Sequence, residues 1–367
     1  MVRNLTDAFT NVLHDVLGHG IEVYARGQNQ REIRACSLTI ERPFERVLVL
    51  PARRNNIFAQ IAETIWVLAG RNDMEFLSRY LPRATDFSDD GVTWRAGYGP
   101  RLRKWGSGTD QLAGVVQRLT EDPNSKRAVM SIFDPATDYG DTKDVPCNNW
   151  LHFLRRDNSL HMSVAVRAND AIWGFSGINF FEWSVLQEII AVSVGAKPGD
   201  LNWFVGSMHV YERHYEVAEK ILQNASPLSP YHFGVPSLAI TTTVDELDAQ
   251  LESTLKTERL ARNGEYLSRV AELTDPFFTS CTCMLQIYNM IRNDEPADAV
   301  LNALAQLPPS DLRVAAVEYV ARKRGADFTY ELPLLASERM FLEHHFQAED
   351  ALVRGHVDKQ AAGARPV

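Results

Sequence analysis

The chain has 367 residues, with 38 Lys and Arg against 47 Asp and Glu and a formal net charge of −9. Apolar residues make up 45% and charged residues 23%, which is ordinary for a soluble globular protein of one large domain or two modest ones. The acidic balance argues against a polymeric nucleic acid as partner, and no apolar run reaches the length that spans a membrane.

From the N-terminus, residues 6–18 have the pattern of an amphipathic opening helix. Residues 35–50 alternate and predict strands, interrupted by the turn-like Glu41-Arg42-Pro43. Ile57, Ile61, Ile65 and Leu68 share one stripe of a helix over 56–69. Residues 82–106, dense in Pro, Asp, Gly and aromatics, have the composition of a long functional loop. A turn at Asp122-Pro123-Asn124-Ser125 leads into a strand over Ala128–Phe133, followed by strands over Trp150–Arg155 and Leu160–Val166. In the last of these Leu160, Met162, Val164 and Val166 alternate with His161, Ser163 and Ala165. Phe181, Val185, Ile189 and Val192 mark a buried helix, and a strand near 201–207 delivers His209 and Tyr211.

The composition changes near 240. Residues 244–324 are helix-rich with one break at Pro308-Pro309, and the tail after Glu349 is expected to be loosely held. The expected division is a catalytic domain over 1–240, a helical extension over 241–345 and a flexible tail over 346–367. The four cysteines, Cys36, Cys147, Cys281 and Cys283, form no Cys-x-x-Cys pairs, and Met1-Val2-Arg3-Asn4 lacks the apolar core of a signal peptide. Both features point to a reducing cytoplasm. For Cys281, Cys283 and the carboxylates of 244–300, a solvated acidic helix face is a better account than a metal site.

The chemistry concentrates around Cys147, which sits in Val145-Pro146-Cys147-Asn148-Asn149. Arg167-Ala168-Asn169-Asp170 follows twenty residues on, then Asn179 at the head of an apolar helix, then His209-Val210-Tyr211. A thiol is nucleophilic only as thiolate, so a catalytic cysteine needs positive charge nearby. Arg167, Lys126 and Arg127 can supply it and can bind a phosphate as well. Taken singly, each residue has a plainer reading. Cys147 would be a small buried hydrophobe, Asn169 and Asp170 turn formers, Asn179 a helix cap and His209 a surface histidine.

Taken together, these segments resemble the thymidylate synthase family. Glu63-Thr64-Ile65-Trp66 and the following Gly70-Arg71-Asn72 are similar to its Glu-Leu-x-Trp helix and Gly-Asp-Thr-Asn end. Tyr98-Gly99 with Trp105, the turn Asp122 to Arg127, Pro146-Cys147, Arg167 to Asp170 and His209-Val210-Tyr211 match further motifs in order, over residues 10–220. The resemblance implies an α+β fold, with a thymidylate synthase-like central mixed sheet and packed helices, forming a back-to-back homodimer. It implies that Cys147 adds to C6 of a pyrimidine nucleoside monophosphate, so that C5 attacks the methylene of 5,10-methylenetetrahydrofolate. Glu63 would move protons through ordered water, with Tyr98 also in the catalytic set. Asn179 would bond the amide edge of the base. Arg26 and Arg167 would hold the phosphate beside Ala168, joined by Lys126 and Arg127 from the partner subunit. His209 and Tyr211 would hold the sugar hydroxyl. Asp170 and Gly174 would face the pterin, and Arg53 the folate tail.

The departures from the family pattern cluster at ligand surfaces. Asn148 replaces a histidine, Lys126 an arginine, Ala168 a serine and Ser207 an aspartate. One extra residue lies between Asp170 and Asn179, and the loop Ala84 to Gly91 lacks two tryptophans. A lost hydroxyl and a shortened cation open room for a ribonucleotide. Missing indoles admit water to the one-carbon intermediate, which favours a 5-hydroxymethyl product over a methyl one. These changes resemble the pyrimidine nucleotide hydroxymethylases, CMP 5-hydroxymethylase in particular. The expected activity is therefore 5-hydroxymethylation with CMP ahead of dCMP or dUMP. The alternatives are a thymidylate synthase making dTMP from dUMP and a non-catalytic nucleotide-binding relative. Asn179 points toward uracil, since the deoxycytidylate enzymes carry aspartate there, but an amide can flip to present donor or acceptor.

Overall fold

The computed structural model describes residues 1–223, 228–268, 270, 272–325 and 327–363. In chain order the elements are α1 (Leu5–His19), β1 (Ile21–Ala25), β2 (Gln28–Ile40), α2 (Ile57–Leu68), α3 (Met74–Tyr80), α4 (Tyr98–Arg103), α5 (Gln111–Glu121), β3 (Ala128–Ser131), α6 (Pro135–Asp138), β4 (Asn148–Arg156), β5 (Ser159–Asp170), a π-helix (Ala171–Asn179), α7 (Phe180–Ser193), β6 (Lys197–Tyr211) and α8 (Tyr215–Leu222). The extension contributes α9 (Val244–Arg262), α10 (Pro276–Arg292), α11 (Ala297–Gln306), α12 (Asp311–Arg324) and α13 (Ala336–Gly363).

The six strands form one sheet in the order β1-β2-β6-β5-β4-β3, antiparallel throughout except for the parallel pair β5–β6. A parallel pair needs a crossover, and the π-helix with α7 provides it, packing on β5 and β6. This parallel register sets Asp170 beside His209 and Ala168 beside Ser207. Residues of the sheet alternate between a face covered by helices and a more open face, as β3 shows in its strict inside–outside pattern. The fold is the expected mixed sheet with packed helices.

Every residue of α2 is buried. A helix that is apolar around its whole circumference needs neighbours on all sides. Here α7 and α4 lie against α2 within the catalytic region, and α10 and α12 of the extension also lie against it. Asn56 starts the helix by accepting the Ala59 N–H at 3.3 Å. Buried polar links join the extension to the rest. Tyr80 donates to Glu258 at 2.8 Å, Tyr231 donates to Asp311 at 2.8 Å, and the Tyr231 oxygen accepts the Val47 N–H at 3.0 Å.

Four segments differ from expectation. Residues 45–50 are wholly buried but form no strand; side chains satisfy their backbone instead, with Asn55 donating to the Leu48 carbonyl at 3.2 Å. The hairpin β1–β2 was not anticipated. Its two-residue loop is Arg26-Gly27, with φ of 50° and 77°, the positive-φ pair that a tight hairpin requires. Residues 82–106 are not a bare loop, since they hold a short 3-10 turn over Pro82–Phe87 and α4. Helix α13 continues into the segment expected to be loosely held, where Glu349 accepts the Ala52 N–H at 2.6 Å. Residues 364–367 lie outside the described residues.

Candidate active site

Cys147 stands at the entrance to β4, and its carbonyl accepts the Arg167 N–H at 2.9 Å. The Arg167 side chain folds back over the same loop. It donates to the carbonyls of Pro146 at 2.9 Å and Val145 at 2.6 Å, and places Nη2 3.8 Å from the Cys147 sulfur. Arg26, lifted by its hairpin, donates to the Lys143 carbonyl at 2.7 Å. Two cations held by backbone carbonyls thus flank one thiol. Burial nevertheless pushes the thiol above its usual range; Arg167 and Arg26 pull it down, and Asp144 and Asp170 oppose them. Asp144 is itself pushed up by burial and held back by the Trp94 indole, which donates to it at 3.0 Å.

Asn148, in place of the family histidine, is fully buried. It accepts the Trp183 indole N–H at 3.2 Å and donates to the Tyr98 hydroxyl at 2.7 Å. Tyr98 therefore sits against Asn148 and Trp183, and burial keeps its hydroxyl protonated well above the usual range. A histidine is not needed to hold this corner together.

Behind it lie two carboxyl groups. Glu63, from α2, is 8% exposed and burial raises it to about 8. Glu182, from α7, has no exposure and neither of its oxygens has a hydrogen bond of ordinary geometry. Burial first, and then the nearby Glu63, push Glu182 well above the carboxylate range, and the Asn179 side chain moderates the rise. Near neutrality this pair carries protons.

The extra residue before Asn179 is absorbed as a π-helix, Ala171–Asn179, in which the Phe180 N–H reaches back to the Phe175 carbonyl. Single π turns accommodate one inserted residue, so Asn179 still arrives at the site. Its side chain makes no capping bond to α7. Instead its Oδ1 accepts from Asn169 Nδ2 at 3.3 Å, and Asn169 Oδ1 accepts the Trp203 indole N–H at 3.2 Å. Gly174 belongs to the same turn, where a Cβ would stand 2.5 Å from Asn169 Nδ2; only glycine leaves that amide its place.

Asp170 opens the π-helix by accepting the Ile172 N–H at 2.9 Å, and its charge is felt by Cys147, Arg53, His209 and Tyr211. His209 is buried beside Tyr211, with ring centroids 4.9 Å apart, and burial lowers its pKa so that the neutral imidazole prevails. Ser207 donates to Glu32 at 2.5 Å.

Not every expected site residue joins this cluster. Arg53 is buried and donates to the Ile172 carbonyl at 2.5 Å and to Ser176 at 3.3 Å, which makes it a brace for the π-helix; burial lowers its pKa to about 10. Ala168 sits on β5 opposite Ser207. Lys126 and Arg127 are exposed just before β3, at the sheet edge opposite the Arg26 hairpin. Sequence reasoning missed Trp94, Asp144, Asn169 and Glu182. Glu182 left a signal, a lone carboxylate in the apolar run Phe180-Phe181-Glu182-Trp183. Trp94 lies just beyond the loop said to lack tryptophan, and it stacks on Phe87 at 5.8 Å.

The fold and the chain's relatives define a one-carbon transferase. Residues 7–258 match the sequence model of thymidylate synthase, and the chain belongs to the thymidylate synthase family. It is 29% identical over 352 residues to the deoxyuridylate hydroxymethyltransferase of Bacillus phage SP01, covering 86% of this chain and 91% of that protein. It is 32% identical over 299 residues to the deoxyuridylate hydroxymethyltransferase of Pseudomonas phage M6, covering 78% and 82%. A putative thymidylate synthase of Methanosarcina mazei is 28% identical over 222 residues, covering 60% of this chain and 93% of that protein.

Proposed function

We propose that this enzyme converts dUMP to 5-hydroxymethyl-dUMP with 5,10-methylenetetrahydrofolate as the carbon donor. One observation carries the choice between methyl and hydroxymethyl products. The phage hydroxymethyltransferases align over most of this chain, whereas the putative thymidylate synthase is nearly used up by 60% of it. The helical extension therefore goes with the hydroxymethyltransferases. Asn179 and the deoxyuridylate named as substrate of those relatives favour uracil over the CMP expected from the pocket substitutions.

In this reading Arg26 and Arg167 take the phosphate, and His209 and Tyr211 take the 3′-hydroxyl. The Cys147 thiolate adds to C6, which places negative charge on C5 and O4. Asn179 donates to O4 as that charge develops. When bound, the folate supplies the one-carbon unit. Asp170 suits a pterin because the Ile172 N–H takes only one of its oxygens, and Trp173 on the same turn is 51% exposed, offering a ring face. Glu63, with a pKa of about 8, is poised to take a proton from water near neutrality. Loss of the C5 proton, with the folate nitrogen departing as tetrahydrofolate, leaves an exocyclic methylene on C5; hydroxide adds to that carbon, electrons return through C5, and the C6–S bond breaks to release thiolate.

A homodimer completes the proposal. On the open face of the sheet Phe204 and Trp150 are 45% and 36% exposed, with Ala165 between them in register. Pairing two such faces would bury this row, and the partner's copies of Lys126 and Arg127 would reach the phosphate.

The test uses purified protein, the cosubstrate and each of dUMP, dCMP, UMP and CMP, with the product identified by mass. The expected result is a hydroxymethyl product from dUMP with release of tetrahydrofolate, abolished in Cys147→Ala. dTMP formed with stoichiometric dihydrofolate would establish thymidylate synthesis instead.

A further inference from the structure

We infer that Asn169 sets the base preference of this site, by locking the Asn179 amide in the orientation that reads uracil. This deepens the reading of Asn179 given above and rests on it.

The lock starts from an atom with no choice. An indole N–H can only donate. Trp203 donates to Asn169 at 3.2 Å, so the atom facing it must be the amide oxygen. The other end of Asn169 is then its NH2, which donates to Asn179 at 3.3 Å. That partner atom must be the Asn179 oxygen. The three residues come from β6, β5 and the end of the π-helix. Trp203 has no exposure, Asn169 2% and Asn179 7%, so water does not readily replace a broken link. Asn169 also has little space to swing, since its NH2 lies against the Cα of Gly174.

Turning Asn179 alone would set two NH2 groups against each other. Turning Asn169 as well would set an NH2 against the indole N–H. Either change forfeits a buried hydrogen bond and creates a donor–donor contact. Beyond the interaction of its side chain with Glu182, the locked amide has an N–H and one oxygen lone pair for a ligand. Uracil offers an acceptor at O4 and a donor at N3, which these match. Cytosine offers a donor at the 4-amino group and an acceptor at N3, which needs the reversed amide. The ambiguity of an asparagine at this position is thereby removed by a neighbour that touches no substrate. Asn169 is a positioning residue.

The experiment compares dUMP and dCMP, in calorimetric affinity and in kcat/KM, for the wild type, Asn169→Asp and Asn169→Leu. The wild type should favour dUMP by about tenfold or more, the scale set by mispaired buried polar groups. In Asn169→Asp, assayed across rising pH so that the buried carboxyl ionises, the carboxylate attracts the Asn179 NH2, turns the amide, and lowers that ratio by about tenfold or reverses it. Asn169→Leu frees the amide, and the ratio should fall toward one. A wild type that binds both nucleotides equally overturns the lock, even if neither variant folds. So do folded variants whose ratio stays within about twofold of wild type, a difference well under 1 kcal/mol. A wild type that discriminates in binding but yields no hydroxymethyl product supports the lock while refuting the proposed reaction.

Discussion

Replacing Glu63 by Gln tests the electrostatics of the site through stability. Glu63 is 8% exposed, and burial raises its carboxyl from 4.5 to about 8. The folded chain therefore holds this proton more tightly than the unfolded chain does. The stability it contributes is whole below pH 4.5, declines as pH rises, and is lost once pH passes about 8. At about 1.36 kcal/mol per pH unit, the full span amounts to about 5 kcal/mol. A glutamine at the same place is neutral at every pH. Urea unfolding of both proteins at about pH 5.5 and about pH 7.5 should show the wild type losing about 3 kcal/mol relative to Glu63→Gln between the two. The same variant should lose roughly 100- to 10,000-fold in kcat, the usual loss on removing a general base. A stability difference that does not change with pH would refute the account of Glu63 as a buried, protonated acid.

Asp144→Asn should speed the alkylation of Cys147 by iodoacetamide near neutral pH, because the aspartate charge is one of the influences holding the thiol up; peptide mass spectrometry separates Cys147 from the other free thiols, and a slower reaction would contradict the assignment. Glu182→Met should raise the urea midpoint at about pH 8, with a gain of about 1–3 kcal/mol, since it removes a buried carboxyl that has no hydrogen bond of ordinary geometry. Loss of stability in that variant would mean that the carboxyl has a partner, such as a water shared with Glu63.

Much of the site was legible because it follows from periodicity and spacing. The alternation from Leu160 to Val166 predicts β5, and β5 runs on to carry Arg167, Asn169 and Asp170 at its end. The stripe Ile57, Ile61, Ile65 and Leu68 predicts α2 and with it the placement of Glu63. What escaped depends on partners far apart in the chain. Asn148 looked like a lost histidine, but its use is to join Tyr98 to Trp183. The extra residue before Asn179 falls within a π-helix, which no apolar periodicity announces. Arg26-Gly27 escaped because a tight hairpin usually announces itself by Asn-Gly; here an arginine accepts φ of 50° and is thereby aimed at the nucleophile loop. Strain of this kind gathers where a side chain must reach a ligand.

The extension can be understood from α2 as well. Phe58 on α2 packs against Tyr288 of α10 at 5.5 Å and Tyr319 of α12 at 5.0 Å, and both tyrosines lie beyond residue 258, where the family match ends. A helix with twelve buried residues of twelve cannot be closed by one layer alone, because an uncovered apolar side would face water. The family domain and the extension accordingly share one continuous core. The helix so enclosed is the one that carries Glu63, and it is burial that raises this carboxyl. The added helices thus help set the apolar surroundings in which a carboxyl can hold and release a proton near neutrality. That is the property the proposed hydration step requires of the base assigned to Glu63.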